Sequence, residues 1–480
     1  MGGIENLFRL KIFFYVGAFG ILFLIFVILQ FQSPWLIGFD GYFHIKFSYL
    51  LKKYFFIDKL PWLQYTIYND YFRDHHLLFH YLLIPFTFGD LMTWGKVGAS
   101  FFMAFASFVF YIILKRLNVP YPLFWTIVAF LSSSALLFRL EMLRIQSLSL
   151  AFLLIIFLLH VEKRYKLLFL FSMLFVYLYD AFPLVLMISG AFFVAEFLTE
   201  RKIEFKYFLY SGAGILTGLI LNPYFPHNIT SFFFNIYRTF FLKVEGIKLG
   251  SEWYPYSSLA LIENMLLAMI MLFFLILFLP FVKNIKREEM AALILALIFL
   301  VFTMKSRRFI EYSPVFIALA TVLIAVRRID KKFIIFLLLA SFPFGIFNFY
   351  KASKDIKRAP NPERYKNAAL WLKENSKEKE IVFNADWDDF PFLFFYNHKN
   401  YYILGLDPMY MYKYSPKLYR LYQRITKGKI KRPAKIIKEQ FKASYIFTDR
   451  YHKKFIKKLN KDKHARLVFQ DYWTRVYKIE

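Results

Sequence analysis

Residues 12–31 read IFFYVGAFGILFLIFVILQF, and Gly38-Phe39-Asp40-Gly41-Tyr42-Phe43-His44-Ile45-Lys46 follows shortly after. The first run is long and apolar enough to span a bilayer. Arg9 and Lys11 precede it and no small-residue cleavage site follows, so it reads as an uncleaved anchor with its N-terminus inside. The second stretch then lies just outside, as a loop carrying a carboxylate, an imidazole and an amine. Asp40 is the first catalytic candidate and His44 the second.

Working outward, the 480 residues are 59% hydrophobic, outside the range of a soluble domain. Apolar runs near 91–114, 120–138, 145–161, 165–179, 181–199, 206–222, 259–282, 289–304, 309–326 and 333–350 bring the expected spans to about eleven. The stretch 77–88 is too short to cross and contains Pro85, so it reads as a juxtamembrane segment. Lys/Arg placement supports this count: if 77–88 crossed, every later loop would change sides and the inside excess would be lost. With 77–88 not crossing, the loop of the 40s, the turn 139–144, Asp180, the long loop 223–258, the turn 305–308 and the tail share the external side. There is no Cys, which excludes disulfides, thiolate catalysis and cysteine-zinc sites. The net charge of +29 reads as cytoplasmic Lys/Arg and attraction to anionic membrane lipids. No recognition motif points to nucleic acid.

Several polar groups on the external side need a reason, because ionisable groups near membrane depth are costly. Arg139, Glu141 and Arg144 lie between two spans. Lys305, Arg307 and Arg308 sit where the positive-inside rule disfavours them, which suggests a bound anion such as a lipid phosphate. Glu252 is the acid singled out from the long loop, in Ser251-Glu252-Trp253-Tyr254-Pro255. Asp74-His75-His76 opens the non-crossing segment, with His80 one helical turn after His76.

Asp40-Gly41-Tyr42-Phe43-His44-Ile45-Lys46 and Ser251-Glu252-Trp253-Tyr254-Pro255 resemble, in order and sidedness, the first-loop motif and the Ser-Glu-x-x-Pro element of the GT-C superfamily of polytopic membrane glycosyltransferases. Within it they are similar to the oligosaccharyltransferase catalytic subunits. The resemblance implies a sugar donor on a polyprenyl phosphate or diphosphate and a glycan, lipid or protein acceptor. It implies Asp40 as base or metal ligand, Glu252 as the acid meeting metal or acceptor, and Arg307 or Arg308 at the lipid phosphate, with Lys305, Arg144 and Arg139 nearby. A divalent ion, Mg2+ or Mn2+, would fall to Asp40, Glu252 and Glu141; arginines alone are the alternative. The chain departs from the oligosaccharyltransferases at Arg139–Gln146, where only Glu141 is acidic. It departs again at Asp386-Trp387-Asp388-Asp389-Phe390, where that family has WWDYG.

From 351 the composition turns mixed, with 31 Lys/Arg against 14 Asp/Glu. Alternating helix and strand patterns there predict a small α/β domain. The expected whole is an α-helical polytopic membrane protein with juxtamembrane helices (1–350) and a C-terminal α/β extracytoplasmic domain (351–480), in the cell membrane. The expected function is sugar transfer from a lipid carrier. The rival readings are a transporter or flippase of lipid-linked sugars, with ionisable groups at midplane and paired broken helices, and an O-antigen polymerase or ligase.

Overall fold

The computed structural model describes residues 2–240, 247 and 250–480; part of the long loop 223–258 thus lies outside the described residues. Four described helices are long and apolar enough to cross a membrane: Ile12–Gln30, Leu91–Arg116, Pro183–Glu200 and Lys331–Ile356. The number rises to six if each of two bent pairs counts as one span. Other expected spans are shorter apolar helices, among them Gln146–Val161, Tyr165–Leu178 and Ser313–Ile324.

Two expected spans are not continuous. The run 120–138 divides into Pro122–Phe130 and Ser134–Leu140 with an 88° bend, and 259–282 divides into Ser258–Asn264 and Leu266–Phe281 with a 93° bend. Each break leaves backbone groups without helical partners, and the two breaks supply one another. Ser133 Oγ donates to the Asn264 carbonyl at 2.6 Å, and the Ala268 amide donates to the Ser132 carbonyl at 3.2 Å. Asn348, from Lys331–Ile356, donates to the Leu131 carbonyl at 2.9 Å. Buried backbone groups freed by a helix break are costly unless they are satisfied in this way.

The stretch expected as a loop at Asp40–Lys46 is instead the first half of a helix, Asp40–Tyr54. Gly38 turns the chain into it at φ +81°, a conformation that side chains beyond glycine rarely adopt. Ten of its fifteen residues are buried, and the tail packs on its first turns. Tyr42 meets Phe392 and Phe395 with ring centroids 4.7 and 5.4 Å apart, and Phe43 meets Phe394 at 5.8 Å.

The tail holds five strands: β1 (Ile381–Asn384), β2 (Tyr401–Tyr402), β3 (Tyr445–Asp449), β4 (Ala465–Gln470) and β5 (Thr474–Ile479). Their order is β2-β1-β3-β5-β4, with β1 parallel to β2 and β3, and β5 antiparallel to β3 and β4. Side chains alternate between faces with the period of a strand. Val382, Tyr445, Phe447 and Val476 join the core that runs into the helical part, whereas Phe383, Ile446 and Tyr477 build a second core on the other face. Between β2 and β3 the helix Pro408–Tyr414 ends at Ser415, whose side chain caps a new helix beginning at Pro416.

The first loop also contributes backbone to this sheet. Leu63 bridges Tyr402 in parallel, Gln64 N donates to Tyr402 O at 2.9 Å, and Tyr402 N donates to Trp62 O at 2.8 Å. The tail is therefore held by an aromatic seam and by hydrogen bonds continuing its edge strand. Phe392→Ala opens a cavity in that seam and is expected to cost about 3–5 kcal/mol. Thermal unfolding in detergent measures the loss, and limited proteolysis should show the tail released first.

Candidate active site

The tail, the helix Asp40–Tyr54 and the turns at the helix ends enclose a cleft of about 530 Å³. Asp40, His44, Arg144, Glu252 and Arg308 all line it, together with Asp74, His80, Trp387 and Asp388. Five of the residues singled out in the sequence, from four separate segments, thus meet in one place.

Asp40 enters as the first residue of its helix and His44 follows one turn later. Arg139 lies in the last turn of Ser134–Leu140, and Arg144 precedes the helix Gln146–Val161. Glu252 is carried by a single turn, Ser251–Trp253, whose backbone is fastened to the turn after Lys305. Ser306 Oγ donates to Glu252 O at 2.9 Å, and Arg307 N donates to Tyr254 O at 3.1 Å.

Charge organises the site. Arg144 Nε lies 3.3 Å from Asp40 Oδ2, and its Nη1 lies 3.4 Å from Glu252 Oε2. Arg139 Nη2 reaches the same Glu252 oxygen at 3.3 Å while its Nε donates to Glu311 Oε1 at 2.6 Å. Arg308 stands farther off, 3.9 Å from Glu252 Oε1, with its guanidinium stacked over the Trp253 ring at 4.6 Å. Its Nε is buried with no hydrogen-bond partner among the described residues. Burial pushes the Glu252 carboxyl up, but Arg144, Arg308 and Arg139 together outweigh it and bring it down to about 2.

Not every expected residue faces the cleft. Arg307 Nε donates to the Pro255 carbonyl at 3.2 Å, and its guanidinium lies over Tyr256. Lys305 is exposed at the end of its helix. Glu141 is wholly buried and accepts from Ser100 Oγ at 3.3 Å, so the structure does not bring it to Asp40 and Glu252. Asp180 pairs with Arg73. Among the described residues, no group of three or more His, Asp or Glu is arranged to hold a metal ion. Asp40 and Glu252, the two cleft carboxylates expected to hold Mg2+ or Mn2+, are each paired with an arginine.

Two further carboxylates contribute. Glu311 is 172 residues from Arg139, its partner, and only folding reveals the pairing. Asp388 arrives from the tail; burial, and then the charge of Asp386, raise its carboxyl to about 6. It stands just past β1, at the carboxyl end of a parallel strand, where the sequence pattern already places Asp386, Asp388 and Asp389 as ligand candidates.

No protein-family model matches the chain, and no curated protein matches it in sequence. Solved structures do match. The archaeal oligosaccharyltransferase AglB from Archaeoglobus fulgidus, in complex with an inhibitory peptide and a dolichol-phosphate, superposes with a TM-score of 0.66 at 13% identity, over 98% of this chain and 74% of that one. ArnT from Cupriavidus metallidurans, bound to undecaprenyl phosphate, gives 0.61 at 12% identity over 96% and 97%. The arabinofuranosyltransferase AftD from Mycobacteria gives 0.56 at 12% identity over 96% and 40%. All are GT-C glycosyltransferases, and the chain has a GT-C-like fold.

Glu252→Gln removes the one carboxylate that Arg139, Arg144 and Arg308 share, leaving only Asp40 on Arg144 and Glu311 on Arg139. It is expected to free the turn 250–255, read as faster amide hydrogen exchange there. In the wild type the same protection is present in full above pH 4.5, the ordinary value for a glutamate, and is lost only as pH falls towards 2.

Proposed function

We propose that this chain is an integral-membrane glycosyltransferase. It moves a sugar from a polyprenyl phosphate or diphosphate to a glycan, lipid or protein acceptor on the external face of the cell membrane. The observation that carries the reading is the buried Nε of Arg308, without a hydrogen-bond partner among the described residues, in a cleft it shares with Asp40 and His44. A guanidinium with donors to spare suits a phosphate oxygen, and carboxylate and imidazole suit an acceptor hydroxyl. The bound lipids named for AglB and ArnT, dolichol-phosphate and undecaprenyl phosphate, fit the same donor class.

In this mechanism Arg308 and Arg144 stabilise the charge that develops on the departing phosphate. Asp40 and His44 are the two groups able to accept the proton of the acceptor hydroxyl. Glu252 holds the arginines in place and keeps their mutual repulsion from opening the cleft. No step passes through a divalent ion.

The paired broken helices favour a second reading, a transporter or flippase of lipid-linked sugars. The side chains bonded across those breaks are Ser133 and Asn348, neither of them ionisable.

Proteoliposomes supplied with a panel of polyprenyl-phosphate and polyprenyl-diphosphate sugars decide between the two. The wild type is expected to transfer sugar, and to do so equally with EDTA present. Asp40→Ala is expected to lose transfer while remaining folded. Arg308→Ala is expected to raise KM for the donor about 10- to 100-fold, matching a lost charge-assisted hydrogen bond of about 1.5–3 kcal/mol. Movement of the lipid across the bilayer without transfer would make the chain a flippase.

A further inference from the structure

Behind Asp40 the cleft wall contains a chain of three buried side chains that the charge network does not use. His44 Nδ1 lies 2.8 Å from His80 Nε2, and His80 Nδ1 lies 2.6 Å from Asp74 Oδ2. Asp74 is itself oriented, since its Oδ1 accepts the His76 amide at 2.9 Å. Phe43, Phe47 and Phe79 pack round the two imidazoles and keep water from them.

Hydrogen-bond polarity along this chain follows from one end. An ionised carboxylate only accepts, so His80 donates to it from Nδ1. A neutral His80 then has an acceptor at Nε2, and His44 must donate to that from its own Nδ1. The nitrogen left over is His44 Nε2, a lone pair on a residue that lines the cleft.

We propose that Asp74, His80 and His44 form a proton relay, with His44 Nε2 the base that deprotonates the acceptor and His80 the place where the charge comes to rest. The proposal rests on the transferase reading above. In the step, the acceptor O–H gives its proton to His44 Nε2 as the acceptor oxygen bonds to the sugar's anomeric carbon. The bond from that carbon to the phosphate oxygen breaks, and its electron pair leaves with the phosphate. The Nδ1 proton of His44 passes to His80 Nε2. His80 becomes an imidazolium beside the Asp74 carboxylate, and His44 is left neutral, protonated on Nε2.

The surroundings explain why one imidazole is insufficient. Beyond His80, the charged groups that act on His44 are Arg144 and His75, and Asp40, one turn earlier on the same helix, is already paired with Arg144. Burial, and then His80 and Arg144, hold His44 well below its ordinary value, so a proton kept there is disfavoured. Asp180 and Arg73 lie around His75. Asp74 is the carboxylate that touches the chain, and it touches the far imidazole. Moving the proton one residue on takes the positive charge from Arg144 to an anion. His44 is thus the catalytic residue, and His80 and Asp74 are positioning residues that set its tautomer and receive its charge.

The full chain, labelled with ¹⁵N-histidine and reconstituted in liposomes, tests this by solid-state NMR, with His44→Gln used to assign the His44 resonances. The wild type is expected to hold its His44 proton on Nδ1, bonded to His80. Asp74→Asn is expected to shift His44 towards the Nε2 tautomer and to lower kcat about 100-fold, within the range for a general base. It should leave KM for the donor within twofold and move the acidic limb of the kcat profile to lower pH, since the anion that favours the imidazolium is gone. His80→Gln keeps hydrogen bonding without proton uptake and should lower kcat similarly. Its retained activity, or a wild-type His44 protonated on Nε2, would overturn the relay. The expected tautomer with no transfer from any donor would support the hydrogen-bond chain and overturn the transferase reading.

Discussion

Arg144 is the point on which the site depends. One guanidinium meets Asp40 from the first loop and Glu252 from the long loop, so two distant segments face each other across it. Taking such charges out of water is unfavourable unless each finds a partner. Three carboxylates, Asp40, Glu252 and Glu311, stand against Arg139, Arg144 and Arg308. The match is not even: Arg139 and Arg144 are closely paired, and Arg308 is held loosely with a donor to spare. A binding site for an anion needs this kind of imbalance, because a fully satisfied network would have nothing to offer.

The tail completes the cleft as well as covering it. Its sheet presents one face to the helical part, and Phe390, Phe392 and Phe394 pack on the helix that begins at Asp40. Gly405 lies so close against Phe390 that a Cβ has no room there. Trp62 and Gln64 of the first loop bond to the tail's edge strand, which ties the loop's far end to the same body. Trp387 and Asp388 reach the cleft because this seam orients them. The catalytic candidates therefore sit on a buried helix between two packed bodies, a more rigid mount than an exposed loop provides.

Two bent helix pairs complete the architecture. Their breaks come together, and each supplies hydrogen bonds that the other lacks. The Ser134–Leu140 segment created by the first bend carries Arg139 to Glu252 and Glu311. A straight helix through 120–138 would place the following residues along one axis. The bend instead redirects the chain before Arg139.

What the sequence determined by itself was the class of molecule and the cast of its site. Apolar runs, the Lys/Arg asymmetry and the alternation of strand and helix patterns beyond 351 are local, additive signals. They suffice for an α-helical membrane protein with an α/β tail. Asp40, His44, Arg144, Glu252 and Arg308 stood out because charged groups near a membrane surface are costly wherever they occur. Only the tertiary structure decided how these groups face one another. Asp40 starts a helix because the aromatic seam with the tail buries that helix, and no local pattern encodes the seam. Arg139 finds Glu311, and His44 finds His80, across 172 and 36 residues. Glu141 is turned away to Ser100 although it lies between two arginines that both pair with Glu252. Pairing of this kind is settled by packing and by the low dielectric of the interior, which rewards whichever partners the whole chain brings within reach.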